Sequence, residues 1–183
     1  MRILRDHWQM LVLVSLVFAF WSSSGMLPVR ILVVFLHELA HGLAALATGG
    51  VIEAMTLSPM EGGSATTRGG NLFLIFSAGY LGSLLLGVIL FLGALRTGAD
   101  RVMMGILGAV MIIIALAYMR DGFALAFTLG AGGVFLLMAW FLPRAINDFV
   151  LRVIGLVSMV YVPFDIFSDT IDRSYPDSDA RML

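Results

Sequence analysis

The chain has 183 residues, 60% of them hydrophobic and 13% charged, with a mean hydropathy of +1.00. A soluble domain is usually less than half apolar and about a quarter charged, so the composition excludes a water-soluble globule and indicates an integral membrane protein. A net charge of −1 gives no footprint for nucleic acid. The absence of cysteine removes disulfides and thiolate metal sites, leaving His, Asp and Glu as the strong ligand types.

A bilayer core of about 30 Å needs roughly 20 helical residues, and six stretches qualify. The first runs from Trp8 to Met26. A cleaved signal peptide is its rival reading, but the apolar run is long and no A-x-A-like site follows. The second spans Val29 to Thr48, the third Asn71 to Leu95 and the fourth Val102 to Met119; the fifth spans Phe123 to Leu142 and the sixth Ile146 to Ser168. Pro28, the Gly49–Gly70 stretch, RTGAD, RDG and Pro143-Arg144 punctuate them.

The expected fold is therefore all-α and polytopic, with about six transmembrane helices. Residues 1–172 read as a single membrane domain, and the polar residues 173–183 as a disordered tail. Between the second and third helices, Val51 to Leu57, the turn SPMEGG and the short run SATTR read as a β-hairpin beside the membrane, against the alternative of a plain loop. Arg2, Arg5, Arg68, Arg120, Arg173 and Arg181 lie on one side, and Arg30, Arg96, Arg101 and Arg144 on the other. The positive-inside rule then favours a cytoplasmic N-terminus by a small margin.

Within the second stretch lies HELAH, residues His37 to His41. Positions i and i+4 share a helix face, so His37 and His41 project together and can bind one Zn²⁺ through two imidazoles. Glu38 is displaced by about 100° around the helix; it suits a general base acting on water, the division of labour in H-E-x-x-H sites. Zinc brings the pKa of its water toward about 7, and a carboxylate then takes the proton as the water attacks a carbonyl. The bland alternative is a set of histidines bonded to neighbouring helices and a glutamate paired with Arg152. Ionisable groups at bilayer depth cost about 2.5–3.5 kcal/mol on insertion scales, which marks three together as a functional site. His7, the remaining histidine, reads as interfacial.

A catalytic zinc takes three protein ligands and keeps one open position. The sixth stretch ends YVPFDIFSDTIDR, with Asp165, Asp169 and Asp172 spaced by four and three on one prospective helix face. The negative C-terminal end of a helix disfavours acids; a nearby divalent cation removes the objection. Asp165, the deepest, is the first candidate for third ligand and Asp169 the reserve, against the reading that all three form a solvated helix end.

Lesser signals have ordinary readings. Asp148 and Arg152 should pair at i, i+4, Asn71 should cap the third helix, and Tyr80 should pack, against the alternative of a hydrogen bond to the site. Gly79, Ser83 and Gly87 form a stripe that allows close helix packing, with Gly105/Ala109 and Gly130–Gly133 as weaker instances.

HELAHGLAALATGG followed by SAGYLGS, with the distal YVPFDIFSDTID, resembles the site-2 protease family of intramembrane zinc metallopeptidases, in particular its short bacterial M50B-like branch. The resemblance runs from about Pro28 to Asp172. It implies a multi-pass protein of the bacterial inner membrane whose partners are the lipid bilayer and a transmembrane protein substrate, cleaved at a peptide bond in or near its membrane segment. It further implies His37 and His41 as zinc ligands, Glu38 as the base, and a late Asp as third ligand. In the family that Asp lies in Leu-Asp-Gly after an Asn/Pro motif. Here Pro163 precedes Asp165 by two residues and Ile166 follows it, so the third ligand stays open between Asp165 and Asp169. A substrate must unwind before hydrolysis, and the edge offered by Val51–Leu57 is a candidate for β-augmentation. The alternatives are a catalytically inactive relative serving as a scaffold or complex subunit, and a transporter. A transporter would string ionisable groups across the membrane, whereas these cluster near one side.

Overall fold

The computed structural model describes residues 8–167. Helix α1 (Trp8–Phe20) is followed by a 3₁₀ turn, Ser24–Met26, that runs directly into α2 (Leu27–Ala47). A two-stranded hairpin, β1 (Val51–Leu57) and β2 (Gly63–Arg68), leads to α3 (Leu72–Arg96), α4 (Asp100–Tyr118), α5 (Gly122–Phe141) and α6 (Arg144–Phe167). The all-α polytopic class holds. Five segments, Ser24–Ala47 and α3 to α6, are long and apolar enough to cross a bilayer among the described residues. The first expected span differs: α1 stops at Phe20, six residues short of the predicted Met26, and its 13 residues rise about 20 Å. Ser22, Ser23, Ser24 and Gly25 end it, because serine side chains compete for backbone hydrogen bonds and glycine disfavours a helix interior.

Helix α2 occupies the middle of the bundle. Pro28 stands in its first turn, where a missing N–H costs nothing. Every residue from Ile31 to Gly42 is buried, His37, Glu38 and His41 included. It ends at Thr48, whose hydroxyl donates to the Ala44 carbonyl at 2.7 Å, and at Gly49 with φ +84°.

Backbone proximity fixes the helices around it. Helices α3 and α6 run antiparallel and touch where Cβ atoms are missing. A Cβ on Gly87 would lie 2.9 Å from the Gly155 carbonyl, and one on Gly155 would lie 2.6 Å from that of Gly87. Ser158 Oγ donates to the Ser83 carbonyl across this seam at 2.8 Å. The α4–α5 crossing is built the same way, from Gly108 against Gly132 rather than from Gly105. The expected Asp148–Arg152 pair forms at 2.6 Å, and Asn71 caps α3 by accepting from the Leu74 N–H at 3.2 Å.

The hairpin is antiparallel, with Val51 opposite Arg68 and Leu57 opposite Gly63. A bulge between Ile52 and Ala54 resets the alternation, so Ile52, Met55 and Leu57 are the buried positions. The hairpin packs on the helices rather than standing off from them. It folds back along α2, where Ile52 packs on Gly42, Gly63 on Glu38 and Val34, and Glu61 pairs with Arg30 at 3.2 Å. Arg30, Val34, Glu38 and Gly42 are each four residues apart, so one face of α2 carries the whole hairpin.

Candidate metal centre

His37, Glu38 and His41 are all buried, at 7%, 6% and 6% exposure. The helical offset divides them between two faces. Glu38 lies on the hairpin face, with the backbone of Gly63 beside it: a Cβ built on Gly63 would fall 2.8 Å from Glu38 Oε1 and 2.9 Å from its Cγ. His37 and His41 lie on the neighbouring face, toward α3 and α6.

The two imidazoles converge. Their ring centroids are 4.8 Å apart, with planes at 71°. A Cβ added to Gly79 on α3 would lie no more than 2.5 Å from Nε2 of both rings. Both nitrogens therefore address one small volume that exists because residue 79 has no side chain. His41 Nδ1 lies 2.7 Å from the Ile75 carbonyl. A carbonyl only accepts, so Nδ1 donates to it and Nε2 is the nitrogen left to face a metal. Tyr80 packs edge-on to His37 at 5.3 Å and 82°.

Asp165 approaches from α6, its Oδ2 3.6 Å from His37 Nδ1. That is an ion-pair distance to the ring, and it sets the carboxylate beside His37. The approach is to the Nδ1 edge, however, whereas Nε2 faces Gly79. Among the described residues no three His, Asp or Glu groups already converge on one point. His7, Asp169 and Asp172 lie outside the described residues. The fit to a metal is thus carried by the paired Nε2 atoms and the small volume against Gly79, with Asp165 adjacent as an oxygen donor.

The Peptidase M50B-like family model matches residues 10–183. The chain belongs to the Peptidase M50B-like family. The match bears out the resemblance to the M50B-like branch of the site-2 proteases, and with it an integral membrane protein of a peptidase kind. No curated protein and no solved structure matches the chain.

Three features of this M50B-like site were not read from the sequence. Gly79 reads as part of a packing stripe, but the stripe divides: Ser83 and Gly87 serve the α3–α6 seam, while Gly79 faces the imidazoles. Gly63 reads as turn chemistry, yet it bares the β2 backbone against Glu38. The outer edge of β1 carries a parallel bridge at one position, Met55 to Met119. The outer edge of β2 pairs with no further strand among the described residues.

Proposed function

We propose that the chain is an intramembrane zinc endopeptidase that hydrolyses a peptide bond in or near the membrane segment of a protein substrate. The convergence of His37 Nε2 and His41 Nε2 on the bare backbone of Gly79, with Glu38 on the adjoining face, carries this reading. His37 and His41 would hold zinc through Nε2, and Asp165 would supply the third donor. Bound zinc supplies a Lewis acid that acidifies water and polarises a carbonyl. Glu38 accepts the proton as water adds to the scissile carbonyl carbon, then returns it to the departing amide nitrogen as the C–N bond breaks. The products are a carboxylic acid and an amine.

The substrate must be extended at the cut, because a helical peptide bond is shielded by its own turn. The outer edge of β2 supports a place for it: an unpaired strand edge at membrane depth is costly in contact with lipid, and an added strand would satisfy its N–H and C=O groups. That edge begins at Gly63, beside Glu38. The proposed location is the bacterial inner membrane, with a cytoplasmic N-terminus.

The approach of Asp165 to Nδ1, and Ile166 where the family pattern has glycine, favour a second reading: a relative that has lost turnover and acts as a scaffold or subunit. Purified wild type, Glu38→Gln and His37→Ala, assayed for zinc and against a reporter transmembrane substrate, separate the two. A protease holds about one zinc per chain in wild type and in Glu38→Gln and cleaves only as wild type. A scaffold cleaves in no form.

A further inference from the structure

Two glycines flank HELAH from opposite sides. Gly79 on α3 lies against both Nε2 atoms, and Gly63 on β2 lies against the Glu38 carboxylate. We infer that they are the positioning residues of the centre, with separate duties: Gly79 reserves the volume in which the imidazoles meet an ion, and Gly63 sets the place of the base. The inference rests on the zinc-peptidase reading.

The duties separate because the two glycines touch different side chains. An added Cβ at 79 would press on both rings at a distance that real Cβ atoms do not tolerate. Neither ring has a ready escape. His41 is tied to the Ile75 carbonyl at 2.7 Å, and His37 is bounded by His41 at 4.8 Å and by Tyr80 at 5.3 Å between ring centroids. A methyl group at 79 therefore takes the space of the ion or forces α3 away from α2, and either outcome separates the ligands. At 63 the pressed atoms are Oε1 and Cγ of Glu38 and one methyl of Val34. None of these atoms belongs to an imidazole, so a methyl there displaces the base and leaves the volume between the histidines untouched.

Gly82 supplies the control. It lies on the same helix as Gly79, and its Cβ would meet that of Ala40 at 2.6 Å, away from the imidazoles. Gly82→Ala therefore strains the same α2–α3 interface without touching the centre.

The test is zinc content and cleavage of a reporter transmembrane substrate for wild type, Gly79→Ala, Gly82→Ala and Gly63→Ala, purified in detergent and checked for monodispersity. Gly79→Ala should lower zinc affinity by about tenfold or more, the scale on which disturbed outer-shell partners act, while Gly82→Ala retains zinc. Gly63→Ala should retain zinc and lose about a hundredfold in turnover, the scale of a displaced proton acceptor. Where Gly79→Ala folds poorly, a thermal double-mutant cycle replaces the metal readout. His41→Ala should recover much of the loss caused by Gly79→Ala and none of that caused by Gly82→Ala. Full zinc affinity in Gly79→Ala, equal zinc loss in Gly82→Ala, wild-type turnover in Gly63→Ala or an additive cycle overturns the inference. A wild type that holds no zinc overturns the underlying reading instead.

Discussion

At the residue scale the centre is assembled from side chains whose cost at membrane depth would otherwise be hard to explain. His37, Glu38 and His41 were legible in the sequence because i, i+4 spacing on a helix is geometry and needs no tertiary information. Asp165 was legible as an acid in an unfavourable place. What the sequence could not supply was which face each group addresses. A stripe of small residues reads identically whether it lines imidazoles or another helix, so Gly79 was indistinguishable from Gly87. The role of Asp165 yields a direct prediction. As a first-sphere donor, its replacement in Asp165→Ala should abolish stable zinc binding, with Asp165→Asn binding only weakly. If the carboxylate only orients His37 through Nδ1, both variants should keep zinc with an affinity lower by about 10- to 100-fold. Competition against a chromophoric zinc chelator distinguishes the two results, and the proposed ligand set requires the first.

At the scale of elements, the hairpin is the part whose position matters most. Its existence could be read from SPMEGG between two short runs. Its bulge at Glu53 could not, and neither could its return along α2, because the alternation of β1 is broken where the bulge falls and the partner face is specified by α2. The tip is held by Arg30 and Glu61, whose side chains are 14% and 23% exposed. Glu61 has φ +62°, a left-handed conformation that costs a non-glycine residue about 1–2 kcal/mol. The ion pair offsets that cost. Arg30→Ala should therefore lower stability by about 1–3 kcal/mol, between the values of exposed and buried pairs. Glu61→Gly should lower it less, since the strain disappears together with the pair. Thermal denaturation in detergent checks the order; equal loss in both would remove the strain argument. Substrate pairing on β2 makes a further prediction. Proline at positions 64 to 67, one at a time, removes an N–H that an incoming strand would use. Cleavage should fall at the alternate positions that face the outer edge while zinc content stays at the wild-type level; unchanged turnover at all four would rule out that edge.

For the molecule as a whole, hydropathy specified five of the six expected spans to within a few residues, because a bilayer sets helix length directly. It did not specify that α2 is the central helix. A largely apolar segment such as α2 gives the same hydropathy signal whether protein or lipid surrounds it, and its burial depends on α3, α6 and the hairpin closing around it. The first stretch was read too long because apolar character extends past the point where Ser22 to Gly25 end the helix. The antiparallel sequence of short connections makes α2 and α6 parallel, and this brings Asp165 to the level of His37 from more than a hundred residues away in the chain. The central claim is that this convergence holds a zinc ion inside the membrane. X-ray absorption at the zinc edge on the purified, detergent-solubilised protein measures it most directly. The account predicts about one zinc per chain, with two imidazole nitrogens at about 2.0–2.1 Å, oxygen donors completing a four-coordinate shell, and loss of the signal in His37→Ala and His41→Ala. Zinc at background level in wild type, or a shell unchanged when either histidine is removed, would contradict it.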